Sequence, residues 1–238
     1  MAGNRSAGNK RRLQPHPDDR PERIRDDGPE RDHGDAEQDL QSEPEVLVDR
    51  DDGLEVRAQV QEEPAGIAHA LSLAEGFAAH GPVCVILADN IFEYSIAPYA
   101  EAFLKQKQGA RVLLKKVGDP ERYGVAALDE VKVIEIEEKP SNPKSNYAVV
   151  GLYFYDAQVF DDIRQIGRGR RNEYEITEVN NRYIARKELQ YDFCYGAWTD
   201  AGTFESWMEA NRILFENGNR ILPHPGSAHA AQTVRFRS

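Results

Sequence analysis

The sequence predicts an α/β fold, one sheet with helices packed on it. Three observations predict it. From about Gly53 onward, short runs rich in β-branched and aromatic residues alternate with stretches of helical spacing. The helical stretches stop at the breakers Gly81-Pro82, Gly109 and Gly218. The apolar share, 40% of 238 residues, can fill a core even beside a charged share of 30%.

Residues 1–52 stand apart. The run "NKRRLQPHPDDRPERIRDDGPERDHGDAEQDLQSEPE" is Arg, Asp, Glu, Pro and Gly with almost nothing apolar. Such a segment buries too little surface to offset the entropy of ordering it, so it is expected to be disordered. Residues 53–222 form the expected domain, and 223–238 the expected loose tail.

Within the domain, "GIAHALSLAEGFAAHG" places Ile67, Leu71, Ala74 and Phe77 at helical spacing. Val83–Leu87 is a five-residue apolar strand that ends on Asp89-Asn90. "YAEAFLKQKQGA" is a helix and "RVLLKKV" a strand. "KVIEIEEK" is a strand whose alternation sends Val133, Glu135 and Glu137 one way and Val131, with Ile134 or Ile136, the other. "YAVVGLYFYD" is a longer strand. "EITEVNNRYIARKEL" is an amphipathic helix with Ile176, Val179, Tyr183 and Ile184 on one side. "QYDFCYGAWTD" is a strand entering a turn. "TFESWMEANRILFENG" is a helix with Thr203 as its cap and Gly218 as its stop.

The net charge of −11 argues against general attraction to nucleic acid or to acidic lipid. The two cysteines, Cys84 and Cys194, sit in apolar stretches without metal-ligand spacing, and read as buried thiols of a reducing compartment. No apolar run is long enough to cross a bilayer and none reads as a signal peptide, so the cytoplasm is the expected location.

Two acids stand where open α/β sheets gather ligands, at the carboxyl ends of strands: Asp89 after "VILA" and Asp200 after "YGAWT". Converging from separate strands, they would suit magnesium, which takes oxygen ligands and leaves room for phosphates; each also reads as an ordinary turn or cap residue. "DPERYGVAALD" sets Arg122, Tyr123 and Gly124 in a turn before a strand. Glu138-Lys139 at a strand end could grip a polyol and a phosphate together, or be a solvated charge pair. Gln61 precedes a Pro-Ala-Gly turn that opens a helix, whose free N–H groups accept polar ligand atoms. His69, inside that helix, reads as an ordinary packed or surface histidine.

From about Val60 to Leu222 the chain resembles the sugar-nucleotidyltransferases, and among them the short-form glucose-1-phosphate thymidylyltransferases. The motifs are "VQEEPAGIAHAL", "LADNIFE", "DPERYGVA", "IEEKPSNPKSNYAVVGLYFYD", "NEYEITEVN" and "WTDAGTFES", in that order. The resemblance implies a Rossmann-like sheet with helices on both faces. It implies that Gln61 reads the pyrimidine edge and that Gly66 and Ile67 cradle base and sugar. Asp89 and Asp200 would bind Mg2+. Tyr123, Gly124, Glu138, Val149, Tyr153 and Trp198 would line the sugar-phosphate pocket, and Lys139 and Arg171 would be the catalytic cations at its phosphate. Asn172-Glu173-Tyr174-Glu175 departs mildly from the usual Gly-Glu-Leu-Glu.

The implied substrates are dTTP and glucose 1-phosphate, and the implied products dTDP-glucose and pyrophosphate, for surface polysaccharide. UTP fits the same amide nearly as well. No nucleic acid or membrane partner is implied; relatives assemble as oligomers, which leaves a homo-oligomer open. The family's first strand, its GGxGTRLxPxT loop and the following KxxxPVxxKP lysine are not found in this sequence. Residues 1 to about 55 are therefore read as foreign to the family, as a reading-frame change would make them; translating the DNA upstream of the Gln61 codon in the other frames tests this. Without the loop, which wraps a triphosphate in backbone N–H groups, turnover of dTTP is expected to be poor, and folding marginal. A pocket that binds sugar nucleotide without catalysis is the alternative reading.

Overall fold

The computed structural model describes residues 46–49 and 54–226, all within the compact unit Glu43–Ser238. The rest of the segment expected to be disordered, and the tail beyond 226, lie outside the described residues. Four residues of the 1–52 stretch, Val46–Asp49, form β1, paired antiparallel with β2 (Leu54–Arg57). Both carry the β-branched residues that suit a strand.

The helix expected over 67–80 is two short ones, α1 (Ile67–Ser72) and α2 (Glu75–Ala78). Then follow β3 (Val83–Ile86), β4 (Asn90–Phe92), α3 (Ala97–Gln106) and β5 (Ala110–Lys116). A 3-10 turn, Pro120–Arg122, leads into the hairpin of β6 (Gly124–Asp129) and β7 (Lys132–Glu138). β8 (Tyr147–Tyr155), α4 (Gln158–Gln165), α5 (Ile176–Arg186), β9 (Leu189–Phe193), β10 (Trp198–Asp200) and α6 (Phe204–Glu216) complete the order. Among the described residues no helix is long and apolar enough to cross a membrane.

The main sheet runs β7-β6-β8-β5-β9, with β3 also on β8. Its ladders are antiparallel except β5 with β9. β5 covers one edge of β8 along most of its length. The other edge is divided: Ala148 pairs with Val125 of β6, while Leu152–Tyr155 pair with β3. Between them the sheet forks: among the described residues β8 has no ladder partner on that edge, and the Gly151 carbonyl accepts from the Leu87 N–H while its own N–H donates to the Asn90 side chain.

Alternation along β5 and β8 splits the core between the two faces. Val112, Leu114, Val149, Tyr153 and Tyr155 pack with residues of α1, α4 and α5. Leu113, Val150, Leu152 and Phe154 pack with Tyr99 and Phe103 of α3. Helices therefore cover both faces, and β8, buried from Ala148 to Tyr155, reads as the continuous apolar run a central strand requires.

Four sequence readings need correction. In β7, Val133 and Ile136 are both buried while Ile134 is 54% exposed. A bulge explains it: Ala127 pairs with Glu135 but Leu128 with Val133, so Ile134 is the extra residue and the alternation resets. Phe77 is exposed: the expected single helix breaks at Leu73-Ala74, and in α2 it is Ala78 that packs against the core. The stretch "QYDFCYGAWTD" is two strands in two sheets, β9 on β5 and β10 on β4. Finally, Cys84 is exposed, unlike Cys194. Among the described residues β3 has only β8 as a ladder partner, and its exposed side chains, Cys84 and Ile86, line a cleft.

The capping expectation for α6 holds: Thr203 Oγ1 accepts from the Ser206 N–H at 3.1 Å, and Ser206 Oγ accepts from the Thr203 N–H at 3.0 Å. The edge of β7 is blunted by a side chain. Asn181 of α5 accepts from the Ile136 N–H at 2.9 Å and donates to its carbonyl at 2.8 Å.

Candidate functional site

β3 runs to Leu87, whose N–H donates to the Gly151 carbonyl, and the chain then turns so that the Asn90 N–H returns to the Leu87 carbonyl. Asp89 sits at the tip of that turn, exposed. Asp200 ends β10, directly opposite Asn90 in the ladder. The next N–H, of Ala201, donates to the Asp89 carbonyl at 2.7 Å. Two acids more than a hundred residues apart thus leave adjacent backbone at the fork of the sheet.

Asp200 is largely shielded and does not stand alone. Arg122 Nη2 donates to both its oxygens, at 2.9 and 3.2 Å, and the Tyr123 hydroxyl lies 3.5 Å away. Arg122 Nη1 also donates to Asp119 at 2.8 Å. Burial first, and the Asp200 charge second, push the Tyr123 phenol up to about 12. The ring of Tyr123 meets Trp198 edge-on at 5.5 Å. Asp89 and Asp200 carry the oxygen donors that a hard cation takes, and their backbones are adjacent. Among the described residues no third acid, His or Cys joins them in a cage. Two carboxylates, with the remaining positions left to water and phosphate oxygens, is a set magnesium accepts.

Asn90, read from the sequence only as a turn residue, is a junction. Its amide nitrogen donates to Asp89 Oδ1 at 2.8 Å, and its carbonyl accepts from the Gly151 N–H at 2.9 Å and from Trp198 Nε1 at 2.8 Å. The side chain is buried, so these bonds have no water to replace them. The available signal was an Asn beginning a strand, where it is depleted unless its amide has a partner. Gly151 makes room for it: a Cβ there would lie 2.6 Å from the Asn90 amide nitrogen. Gly151→Ala is expected to cost about 1–3 kcal/mol by overpacking, and to move the Trp198 emission as Asn90 is driven aside. Urea unfolding with tryptophan fluorescence checks both.

Among the residues expected to line a sugar-phosphate pocket, Gly124 and Glu138 are ladder partners. Glu138 accepts from the Thr177 hydroxyl at 2.6 Å and lies 3.4 Å from Arg171. Arg171 is clasped by Glu175, at 2.8 and 3.0 Å, and by Glu173 at 2.9 Å. These bonds, led by Glu175, hold its guanidinium above its ordinary pKa. Lys139 takes a left-handed φ of 43°, its N–H donates to the Tyr123 carbonyl at 2.9 Å, and its side chain is exposed. Tyr153 is buried, and its phenol is driven up by burial, then by Glu138 and Asp89. Val149 is buried in the core. Thr177 and Glu175, which orient Glu138 and Arg171, were not singled out in the sequence, because their spacing reads as helix packing.

Gln61, Gly66 and Ile67 lie apart from the acids, in a cleft of about 590 Å³ that also includes Ile86, Leu87 and Glu173. Leu87 is two residues short of Asp89 and Glu173 two beyond Arg171, so the cleft runs toward the other groups. The Gln61 amide nitrogen donates to the Gly66 carbonyl at 3.1 Å and lies 2.8 Å from His69 Nδ1. His69, read as ordinary, thus holds the amide nitrogen of Gln61.

The sequence model of the family described as nucleotidyl transferase matches residues 31–217. The glucose-1-phosphate thymidylyltransferase of Xanthomonas campestris pv. campestris is 41% identical over 166 residues, 68% of this chain and 56% of that protein. That of Neisseria gonorrhoeae is 40% identical over 170 residues, 67% of this chain and 57% of that one. The chain therefore spans little more than half the length of these curated relatives. Among solved structures, a Bacillus anthracis protein assigned as a glucose-1-phosphate thymidylyltransferase, in complex with a sucrose, superposes with a TM-score of 0.62 at 51% identity, covering 65% of this chain and 63% of that one. A UDP-glucose pyrophosphorylase complexed with UDP-glucose superposes with a TM-score of 0.59 at 26% identity, covering 66% of this chain and 65% of that one. With the motifs, the forked sheet and the family match over most of its length, this chain belongs to the nucleotidyl transferase family.

Proposed function

We propose that the site transfers a thymidylyl group to glucose 1-phosphate, forming dTDP-glucose and pyrophosphate with Mg2+ as cofactor. The observation that carries the reading is the convergence of Asp89 and Asp200 on adjacent backbone at the fork of the sheet. A phosphate oxygen of glucose 1-phosphate attacks the α-phosphorus of dTTP; the bond from that phosphorus to the bridging oxygen breaks, and its electron pair leaves with pyrophosphate. No proton has to move and no covalent enzyme intermediate forms, so the protein's part is positioning and neutralising charge.

Mg2+ held by Asp89 and Asp200 would supply charge neutralisation at the phosphates. Glu138, fixed by Thr177, accepts from sugar hydroxyls, while Trp198 and Tyr123 wall the ring. Lys139, on its left-handed turn, and Arg171 face the sugar phosphate. The side-chain carbonyl of Gln61 would accept the imide N–H that thymine and uracil share, so dTTP and UTP belong in the same assay.

The second reading, binding of sugar nucleotide without turnover, is favoured by charge. Asp89, Asp200, Glu138, Glu173 and Glu175 surround the described site, whereas Arg122 and Arg171 are already paired to acids. Pyrophosphate release on mixing dTTP, glucose 1-phosphate and Mg2+ supports the first reading. Binding of dTDP-glucose without release moves the conclusion to the second, and no binding overturns both. Asp89→Asn is expected to lower any release by about 10²-fold or more, as loss of a group aimed at transition-state charge does, with dTDP-glucose affinity measured alongside.

A further inference from the structure

We infer that Arg122 is the resident counter-ion of Asp200, and that a divalent cation enters the site by displacing it. The inference rests on the cation site of the proposed function and concerns how that site is guarded. Arg122 Nη2 grips both oxygens of Asp200, one of the two acids a metal would need. Asp200 and Asp89 leave adjacent backbone, so two negative charges are anchored in one corner of the fold, and like charges there repel when nothing positive lies between them. Asp200 is 18% exposed, too shielded for water alone to screen that repulsion well. The Arg122 guanidinium on Asp200 offsets that repulsion.

The geometry also lets Arg122 leave. Its side chain is 34% exposed, and Nη1 keeps a separate bond to Asp119 at 2.8 Å. Its guanidinium lies 5.1 Å from the centre of the Tyr123 ring. Asp119 and Tyr123 would keep Arg122 partnered after it lets go of Asp200, so displacement does not strand a charge. The short 3-10 turn Pro120–Arg122 fixes its backbone beside the site, and the freed Nη2 donors would then face whatever anion accompanies the cation.

Mn2+ is the probe, its free aquo ion followed by electron paramagnetic resonance during titration of wild type, Arg122→Gln, Arg122→Lys and Asp89→Asn. Arg122→Gln is expected to bind Mn2+ about tenfold more tightly than wild type, because a competing unit charge is gone. Its thermal midpoint without cation should fall, and millimolar Mn2+ should restore it. Arg122→Lys, which keeps the charge without the two-toothed grip, should lie between and serves if the Gln variant does not fold. A wild-type chain that binds Mn2+ in an Asp89-dependent way, with Arg122 variants binding equally or more weakly, overturns this inference alone. Absence of Asp89-dependent Mn2+ binding in every variant overturns the cation site itself, and the inference with it.

Discussion

Removing Arg182 and Arg186 together is expected to destabilise the chain by about 3–5 kcal/mol, the cost of leaving a buried charge without its partner. Asp162 of α4 is 1% exposed, and both its partners come from α5. Arg182 Nε meets Oδ1 at 2.8 Å; Arg186 meets Oδ1 at 3.0 Å and Oδ2 at 2.7 Å. Arg186 also lies over the Tyr183 ring at 4.5 Å, and the Tyr183 hydroxyl donates to Asp156 at 2.8 Å. The carboxylate therefore clasps α4 to α5, the helix whose first turn carries Thr177 and, at its cap, Glu175.

The sign of the asymmetry is the informative part. Asp162→Ala removes the anion but leaves two guanidiniums that are each about a third exposed, free to turn into water. The double Arg→Ala variant leaves the anion where water cannot reach it. Urea unfolding of wild type, both single Arg variants, the double variant and Asp162→Ala forms a cycle. The double variant should lose more than Asp162→Ala, and each single variant should lose much less than half of the double, since the remaining arginine keeps the carboxylate paired. Equal losses for Asp162→Ala and the double variant would mean that burial of this acid is not what holds the helices.

Much of this fold is legible in the sequence because it depends on local chemistry. Thr203 caps α6 because Thr followed three residues later by a hydroxyl can satisfy two free N–H groups, and the periodic apolar face starts there. β8 announces itself as central because nine residues from Tyr147 to Tyr155 hold no charge. Asp89 and Asp200 stand out in the sequence because each follows an apolar or aromatic run and precedes turn residues, and the structure sets their backbones side by side. What the sequence hides depends on distance along the chain. Arg122 reads as a turn residue until Asp200, 78 residues on, is seen in its grip. Asn90 reads as half of an Asp-Asn turn until Trp198 and Gly151 fold onto it. The bulge at Ile134 depends on how β6 pairs, which no alternation rule within β7 contains. Cys84 is apolar in its neighbours and exposed in the fold, because exposure follows from which strands flank β3 rather than from the composition of β3.

Gly66→Ala is expected to damage both stability and the cleft proposed to take the nucleotide. Gly66 precedes α1 with φ 99° and ψ 170°, a conformation essentially confined to glycine. A Cβ there would lie 2.6 Å from the Tyr174 carbonyl oxygen and 3.0 Å from the Tyr174 nitrogen. Both are backbone atoms, so no rotamer change relieves the contact. The same backbone is tied in from both sides: the Tyr174 N–H donates to the Ala65 carbonyl at 2.8 Å, and the Ala68 N–H to the Tyr174 carbonyl at 3.3 Å. Strain at φ and overpacking each cost on the order of 1–3 kcal/mol, so a loss of about 3 kcal/mol in urea unfolding is expected. The Gly66 carbonyl also accepts from the Gln61 amide, so moving it releases the side chain proposed to read the base. Affinity for dTDP should fall about tenfold or more in the folded fraction, measured by titration well below the unfolding transition. Gly76→Ala is the control: it lies in α2 with nothing within 4 Å of a built Cβ, and alanine favours a helix by roughly 0.5–1 kcal/mol over glycine. If the two variants behave alike, Gly66 is not the tight join between the cleft and α5 that its geometry describes; if only Gly66→Ala loses both stability and dTDP, the conformation that only glycine adopts is what keeps Gln61 facing the base.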